Sequence, residues 1–264
     1  MRKAIFLFNE SDIMPAPWLG AGYECWLFDG KHPDGVHRDP VNPLIVRVGM
    51  WFKAHDIVNQ AQEIASMVGP GVEFVASFAE CTYLTTTGAK WFYHPDDKHL
   101  PTSERRPHPN YPNRRQDQQD AIRLAKLVMW VAGYCDMQNG DGKQIPWMLE
   151  NPAVNTLNTQ WRRPDHTFDP FEYGGYLPEV DAHPIYPTIY PPRDAYPKKT
   201  GIWCNVAFVM PPKNPVPIQL INGKRCNPGW YAAGGRNART KAIRSVTPRG
   251  FAEAVFLSNA NVPY

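Results

Sequence analysis

Two residues in this chain have the type and the placement for covalent chemistry on an aromatic ring. Cys81 stands where the apolar run Val75-Ala76-Ser77-Phe78-Ala79 breaks into the polar segment Glu80-Cys81-Thr82-Tyr83-Leu84-Thr85-Thr86-Thr87-Gly88-Ala89. Glu150 ends a second apolar run, Ile145-Pro146-Trp147-Met148-Leu149, and is followed by Asn151-Pro152. A thiol and a carboxyl group, each leaving a strand, can face one crevice at the carboxyl edge of a parallel sheet. Such a pair suits addition to a pyrimidine, with the thiolate bonding to carbon 6 and the carboxyl group holding the ring nitrogen and exocyclic amine. Taken singly, a cysteine is more often an inert buried hydrophobe, and a glutamate a surface charge.

The elements that must carry the pair alternate along the chain. Strands are expected over 3–8, 23–29, 44–48 and 72–78, with a short glycine-terminated helix ending at 18–22 and a helix over 56–68 capped by Asp56. A helix follows over 116–134, then a turn at 140–142, a strand over 203–209, a hairpin-type turn at Asn222-Gly223, and a closing helix over 248–257 with Pro248 in its first turn. Gly234-Gly235-Arg236 reads as a flexible basic linker. This alternation predicts an α/β fold: a doubly wound, mostly parallel sheet with helices on both faces. The segments 94–112 and 165–197 are rich in Pro, Tyr, His and Asp without periodicity, and read as long irregular stretches. The first directly follows the Cys81 segment, where it could close over a substrate.

The 264 residues suffice for one full core with a small appended lobe. Five scattered cysteines without a Cys-x-x-Cys pair argue against a disulfide framework or a cysteine zinc site. They fit a reducing cytoplasm. His94, His99 and His108, with Asp96 and Asp97, fit no standard zinc spacing, so exposed loop histidines and no metal are expected. The longest apolar stretch is interrupted by Lys126 and too short to span a bilayer, and the apolar run after Met1-Arg2-Lys3 is too short for a signal peptide. The net charge of +3 conceals an asymmetry: between Arg193 and Arg249 stand 11 Lys or Arg and one acid, Asp194. Trp203, Trp230 and Tyr231 interleave with those charges, which favours a nucleic-acid face over a merely solvated one.

In motif order the chain resembles the 5-cytosine DNA methyltransferases, especially short phage-encoded ones. The family's nucleophile loop, Pro-Pro-Cys-Thr-x-Leu-x-x-x-Gly-Ala, corresponds to residues 79–89. Its Glu-Asn-Pro motif is Glu150-Asn151-Pro152, followed by Trp161-Arg162-Arg163-Pro164-Asp165, and its late Arg-x-x-Thr-Pro-Arg-x-x-Ala motif is Arg244 to Ala252. The resemblance implies a Rossmann-like catalytic part over 1–164, a small basic Pro/Tyr-rich recognition lobe over 165–243, and a helix within 244–264 returning to the catalytic part. It implies S-adenosylmethionine or a derivative as donor, held near Phe8, Ser11, Asp12, Trp18, Asp29 and Met50. Cys81, Glu150 and Asn151 would be catalytic. Thr82, Arg162, Lys198, Lys199, Arg244, Thr247 and Arg249 would face the substrate, a cytosine flipped out of DNA.

Three positions depart from the family pattern. Glu80 replaces a proline, and a carboxylate there tends to raise the thiol pKa. Asp12 stands about where a glycine is expected, which predicts weakened donor binding that Asp12→Gly relieves. Gly49-Met50-Trp51 replaces an acid near the donor's adenine. Carbon-5 modification of a free pyrimidine nucleotide, or a catalytically silent DNA-binding relative, remain alternative readings.

Overall fold

The computed structural model describes residues 1–232 and 237–260. The Gly234-Gly235-Arg236 linker expected from the sequence lies outside the described residues. Strands β1 (Lys3–Leu7), β2 (Glu24–Arg38), β3 (Ile45–Gly49), β4 (Val72–Ser77), β5 (Trp147–Pro152), β6 (His166–Phe168) and β7 (Thr200–Cys204) form one sheet. Its order is β3-β2-β1-β4-β5-β7-β6. Neighbours from β3 to β5 pair in parallel, while β7 runs antiparallel to both β5 and β6. This is the α/β, Rossmann-like methyltransferase arrangement expected from the sequence.

The helices are α1 (Ala16–Gly20), α2 (Ile57–Val68), α3 (Arg114–Ala125), α4 (Leu127–Asn139), α5 (Leu157–Gln160), α6 (Pro228–Ala232), α7 (Ala238–Arg244) and α8 (Arg249–Asn259). Alternate strand residues point to opposite faces, so the sheet has two cores. Ile5, Leu7, Phe28, Val46 and Val75 meet α2, α3 and α4 on one face. Phe6, Leu27, Phe74, Met148 and Ile202 meet α1 and α8 on the other. There Trp18 is fully buried, stacked on Phe74 and edge-on to Phe6 and Phe256.

Several elements differ from expectation for local reasons. The helix read over 116–134 is two helices meeting at Lys126. Asp56 precedes α2 but makes no capping bond; its carboxylate accepts from the Asn59 amide. The late strand is 200–204, because Asn205 turns the chain, bonding to Trp147 N and the Ile145 carbonyl. Strands β6 and β7, which complete the sheet, come from the stretch assigned to the recognition lobe. Within 94–112 the chain is ordered: the Asp97 carboxylate, buried, takes three hydrogen bonds from Arg106, and His108 is buried against Trp91 and Tyr111 rather than exposed. Strand β2 continues past its first half, and its later residues turn back to pair Val36 with Val48 and Arg38 with Val46.

The irregular 165–197 stretch is fixed to the sheet through charge. Arg249, at the start of α8, makes two hydrogen bonds to the Asp181 carboxylate and two longer ones to Asp194. Nearby, the buried His183 accepts backbone hydrogen bonds at Nδ1 from Ile185 and Tyr186 and stacks on Tyr190. Burial, then the Arg249 charge, lowers its pKa to about 4, with Asp181 opposing. A group with a lowered folded pKa stabilises the fold above its unfolded value, about 6.5, and loses that contribution as pH falls toward 4. Unfolding free energy should therefore drop by roughly 3 kcal/mol at most between pH 6.5 and 4 from this residue. His183→Asn keeps an acceptor but cannot titrate. Urea titrations at several pH values should show a shallower acid decline for that variant, and identical declines would refute the assignment.

Candidate active site

Strands β4 and β5 are adjacent and parallel, with Ser77 paired to Leu149. Their continuations therefore leave the sheet side by side, which brings the Cys81 segment and Glu150 to one edge. Side chains then fasten the two. Buried Asn151 donates to the Ala79 carbonyl at 2.7 Å and accepts from Asn155 Nδ2 at 3.1 Å. Thr156 donates to the Leu84 carbonyl through both its backbone N and its hydroxyl. The Cys81 carbonyl accepts from Leu84 N and Thr85 N, closing a tight turn. From the other side the guanidinium of Arg114, buried among Tyr83, Phe92 and Tyr111, donates to the Thr82 carbonyl. It passes close over Gly88, where a Cβ would lie 2.2 Å from its nitrogen. Asn155, Thr156 and Arg114 carried no sequence signal, because their role exists only once two distant segments are adjacent.

Cys81 is exposed at the surface. The protein packed around it still desolvates the thiol and pushes its pKa up; Glu150 adds to the rise, Lys198 opposes it, and Glu80 adds a smaller share. Glu80 is turned aside, its carboxylate accepting from the Thr82 hydroxyl and lying 3.4 Å from Lys241 Nζ. Glu150 is the more unusual group. Its Oε1 is buried without a hydrogen-bond partner among the described residues. Burial raises its pKa, with Lys198 as the opposing charge. A buried carboxyl group without a partner costs free energy unless a ligand uses it, and perturbed groups of this kind concentrate at functional sites. Lys198, just before β7, reaches the same region, with Nζ 3.4 Å from the Val246 carbonyl.

The remaining residues expected at the substrate are placed differently. Lys199 sits 3.6 Å from Asp169. Arg162 is engaged by Asp165 and the Cys204 carbonyl. Arg244 lies over the Trp230 ring, Thr247 is buried, and Arg249 is held by Asp181 and Asp194. Arg162 and Arg249 thus hold the architecture in this structure, while the Lys198 charge is felt at both Cys81 and Glu150.

At the end of β1, Phe8 adopts a left-handed backbone (φ 54°) and packs on Phe52. Buried Asn9 follows; its Oδ1 has no partner among the described residues, and its carbonyl contacts His32 at 3.0 Å. Ser11 is half-buried. Asp12 turns away, its carboxylate accepting two bonds from Arg47. Asp29 ends the first half of β2 and accepts from Lys31 N. The exposed Trp51 lays its ring against Gly30, where a Cβ would come within 2.3 Å of it, and Met50 packs on the core beside it. An orphaned buried amide, a terminal strand carboxylate and an exposed indole face fit the amino-acid, ribose and adenine parts of the donor. Trp18 supports this edge from inside the core and does not line it. Among the described residues, no group of three His, Cys, Asp or Glu is placed to hold a metal ion, and no helix is long and apolar enough to cross a membrane.

The fold is of the Rossmann-like α/β class, with a thiol and a carboxyl group placed at the edge of adjacent parallel strands. No protein-family model matches the chain, and a comparison with curated proteins finds no match. Among solved structures, the chain is similar to a protein provisionally assigned as a DNA modification methyltransferase encoded within a prophage of E. coli, with 11% identity and a TM-score of 0.36. That alignment covers 82% of this chain and 53% of the other, so this chain spans about half the length of that structure. A likeness at that level says nothing about the reaction.

Proposed function

We propose that the protein transfers a methyl group from S-adenosylmethionine to carbon 5 of cytosine in DNA. The Glu150 Oε1, buried without a partner among the described residues and electrostatically coupled to the Cys81 thiol, carries this reading. Glu150, whose hold on a proton burial strengthens, can carry a proton to N3 of a bound cytosine and accept from the exocyclic amine. Cys81 Sγ then bonds to carbon 6 as N3 takes the Glu150 proton, which makes carbon 5 nucleophilic. The donor, when bound, supplies an electrophilic methyl group to that carbon. Solvent water then takes the carbon 5 proton, the Sγ–carbon 6 bond breaks as aromaticity is restored, N3 returns its proton to Glu150, and the thiolate is freed. Because the thiol pKa is raised, Sγ attacks as its proton passes to solvent water at this exposed position, and Lys198 offsets the charge that develops. The Asn151–Ala79 bond keeps the nucleophile loop in register with Glu150.

The test is the fate of a labelled methyl group. Incubation with labelled S-adenosylmethionine and DNA, followed by digestion to nucleosides, should place the label in 5-methylcytosine. Label in adenine, or in free nucleotide but never in DNA, would overturn the proposal.

The geometry also revises what Asp12 does to donor affinity. Its carboxylate is satisfied by Arg47, so it neither crowds nor repels the donor. Asp12→Gly should leave S-adenosylmethionine affinity within a factor of about 3, as for loss of an exposed ion pair worth under ~1 kcal/mol. Asn9→Ala and Asp29→Ala should each weaken it about tenfold or more by removing a polar partner. Calorimetry on the three variants decides. A marked tightening by Asp12→Gly would show that the carboxylate does face the donor.

A further inference from the structure

The lobe carries an open groove of about 470 Å³ lined by Tyr190, Pro191, Gln219, Asn222, Pro228 and Tyr231, among others. Its inner wall is rigid. Tyr190 is buried, donates its hydroxyl to the Ile243 carbonyl at 2.6 Å and packs on Tyr196. Helix α6 closes on this wall at Gly229, where a Cβ would lie 2.5 Å from the Tyr190 hydroxyl. The outer rim is aromatic and open: Tyr231 is 52% and Trp230 65% exposed. Asn222 Nδ2 donates to the Tyr231 hydroxyl, which sets one edge of the groove.

The rim leads to the nucleophile. The Arg244 guanidinium lies 5.1 Å from the Trp230 ring centroid. One turn back on α7, exposed Lys241 lies 3.4 Å from Glu80, the residue before Cys81. From Ala195 to Ala252 the chain contains no Asp or Glu, so Glu80, already paired with Lys241, is the acid that a polyanion meets beside these cations. Aromatic faces, cations and amides in this arrangement match the requirements of a nucleic-acid strand: bases stack on rings, phosphates meet cations, and amides read base edges.

We propose that this groove binds a second nucleotide of the DNA strand whose cytosine enters the Cys81 site. Tyr231 and Trp230 stack on its bases, Lys241 and Arg244 meet the phosphates between groove and nucleophile, and Gln219 and Asn222 contact the base edge. The groove is thereby a sequence-selecting site, and the inference rests on the DNA reading given above.

The experiment measures binding of a fluorescein-labelled single-stranded oligonucleotide containing one cytosine, with deoxycytidine monophosphate titrated in parallel. Tyr231→Ala and Trp230→Ala should each weaken oligonucleotide binding about tenfold, the scale of one lost base–aromatic stack. Deoxycytidine monophosphate, too short to reach the groove from Cys81, should bind these variants and wild type alike. Gln219→Ala, a polar change at the groove lining, should alter the ranking among oligonucleotides that differ at one base beside the cytosine. Oligonucleotide binding by all three variants equal to wild type, with an unaltered ranking, overturns the groove while leaving the DNA reading in place. Wild-type binding confined to deoxycytidine monophosphate overturns the DNA reading, and the groove with it.

Discussion

Cys81→Ser should form no covalent complex with an oligonucleotide carrying 5-fluorocytosine in the presence of S-adenosylmethionine, whereas wild type should accumulate one. Fluorine cannot leave carbon 5 as the proton does, so the bond from Sγ to carbon 6 persists after methyl transfer. Removing a covalent nucleophile commonly costs on the order of 10⁴-fold or more in rate. Cys81 is the only cysteine on the loop that Asn151 and Thr156 tie to β5, and Cys25, Cys135 and Cys204 are buried. Intact-mass spectrometry reads the complex directly. Equal yields from Cys81→Ser and wild type would remove Cys81 from the mechanism.

Glu150→Gln should act in two opposite directions, and that makes it the sharper test. As the group that protonates N3, Glu150 should contribute about 10²- to 10⁴-fold to methyl transfer, and its amide should lose that. The Glu150 carboxylate also raises the Cys81 pKa, after desolvation the largest cause. Its neutral replacement should therefore lower the thiol pKa and speed alkylation of Cys81 by iodoacetamide at a fixed pH near 8. Lys198→Gln removes the opposing charge and should slow the same alkylation. A rate profile against pH separates these effects from unfolding, because misfolding would not move the two variants in opposite directions. Slower alkylation in Glu150→Gln would mean that the two groups are not electrostatically linked.

The sequence by itself determined the local framework. Short, nearly continuous apolar runs marked β1, β3 and β4, and the apolar run at 145–149 marked the core of β5. Glycine and asparagine marked the turn at 222–223, where both residues adopt left-handed backbone. Cys81 and Glu150 stood out because each follows an apolar run and breaks its pattern. These signals are short-range, and short-range chemistry is what residue order encodes directly. Lys198 could be suspected from its charge and its place before Trp203.

Tertiary structure decided what each polar group is paired with. Asp12 looked like an obstacle to the donor until β3 brought Arg47 to it from 35 residues away. Arg249 had the residue type and motif of a substrate contact, yet Asp181 and Asp194, 68 and 55 residues distant, claim its guanidinium. Glu150 differs for the opposite reason: folding buries its Oε1 and provides no partner among the described residues. Asn151 and Thr156 fix the nucleophile loop only because the parallel pairing of β4 with β5 makes their segments adjacent, and Arg114 only because the start of α3 meets that loop. A charge or an amide has the same sequence signature whether it ends in solvent, in an ion pair or beside an unfilled site. Burial and partner geometry separate these fates, and both arise only when distant segments pack together.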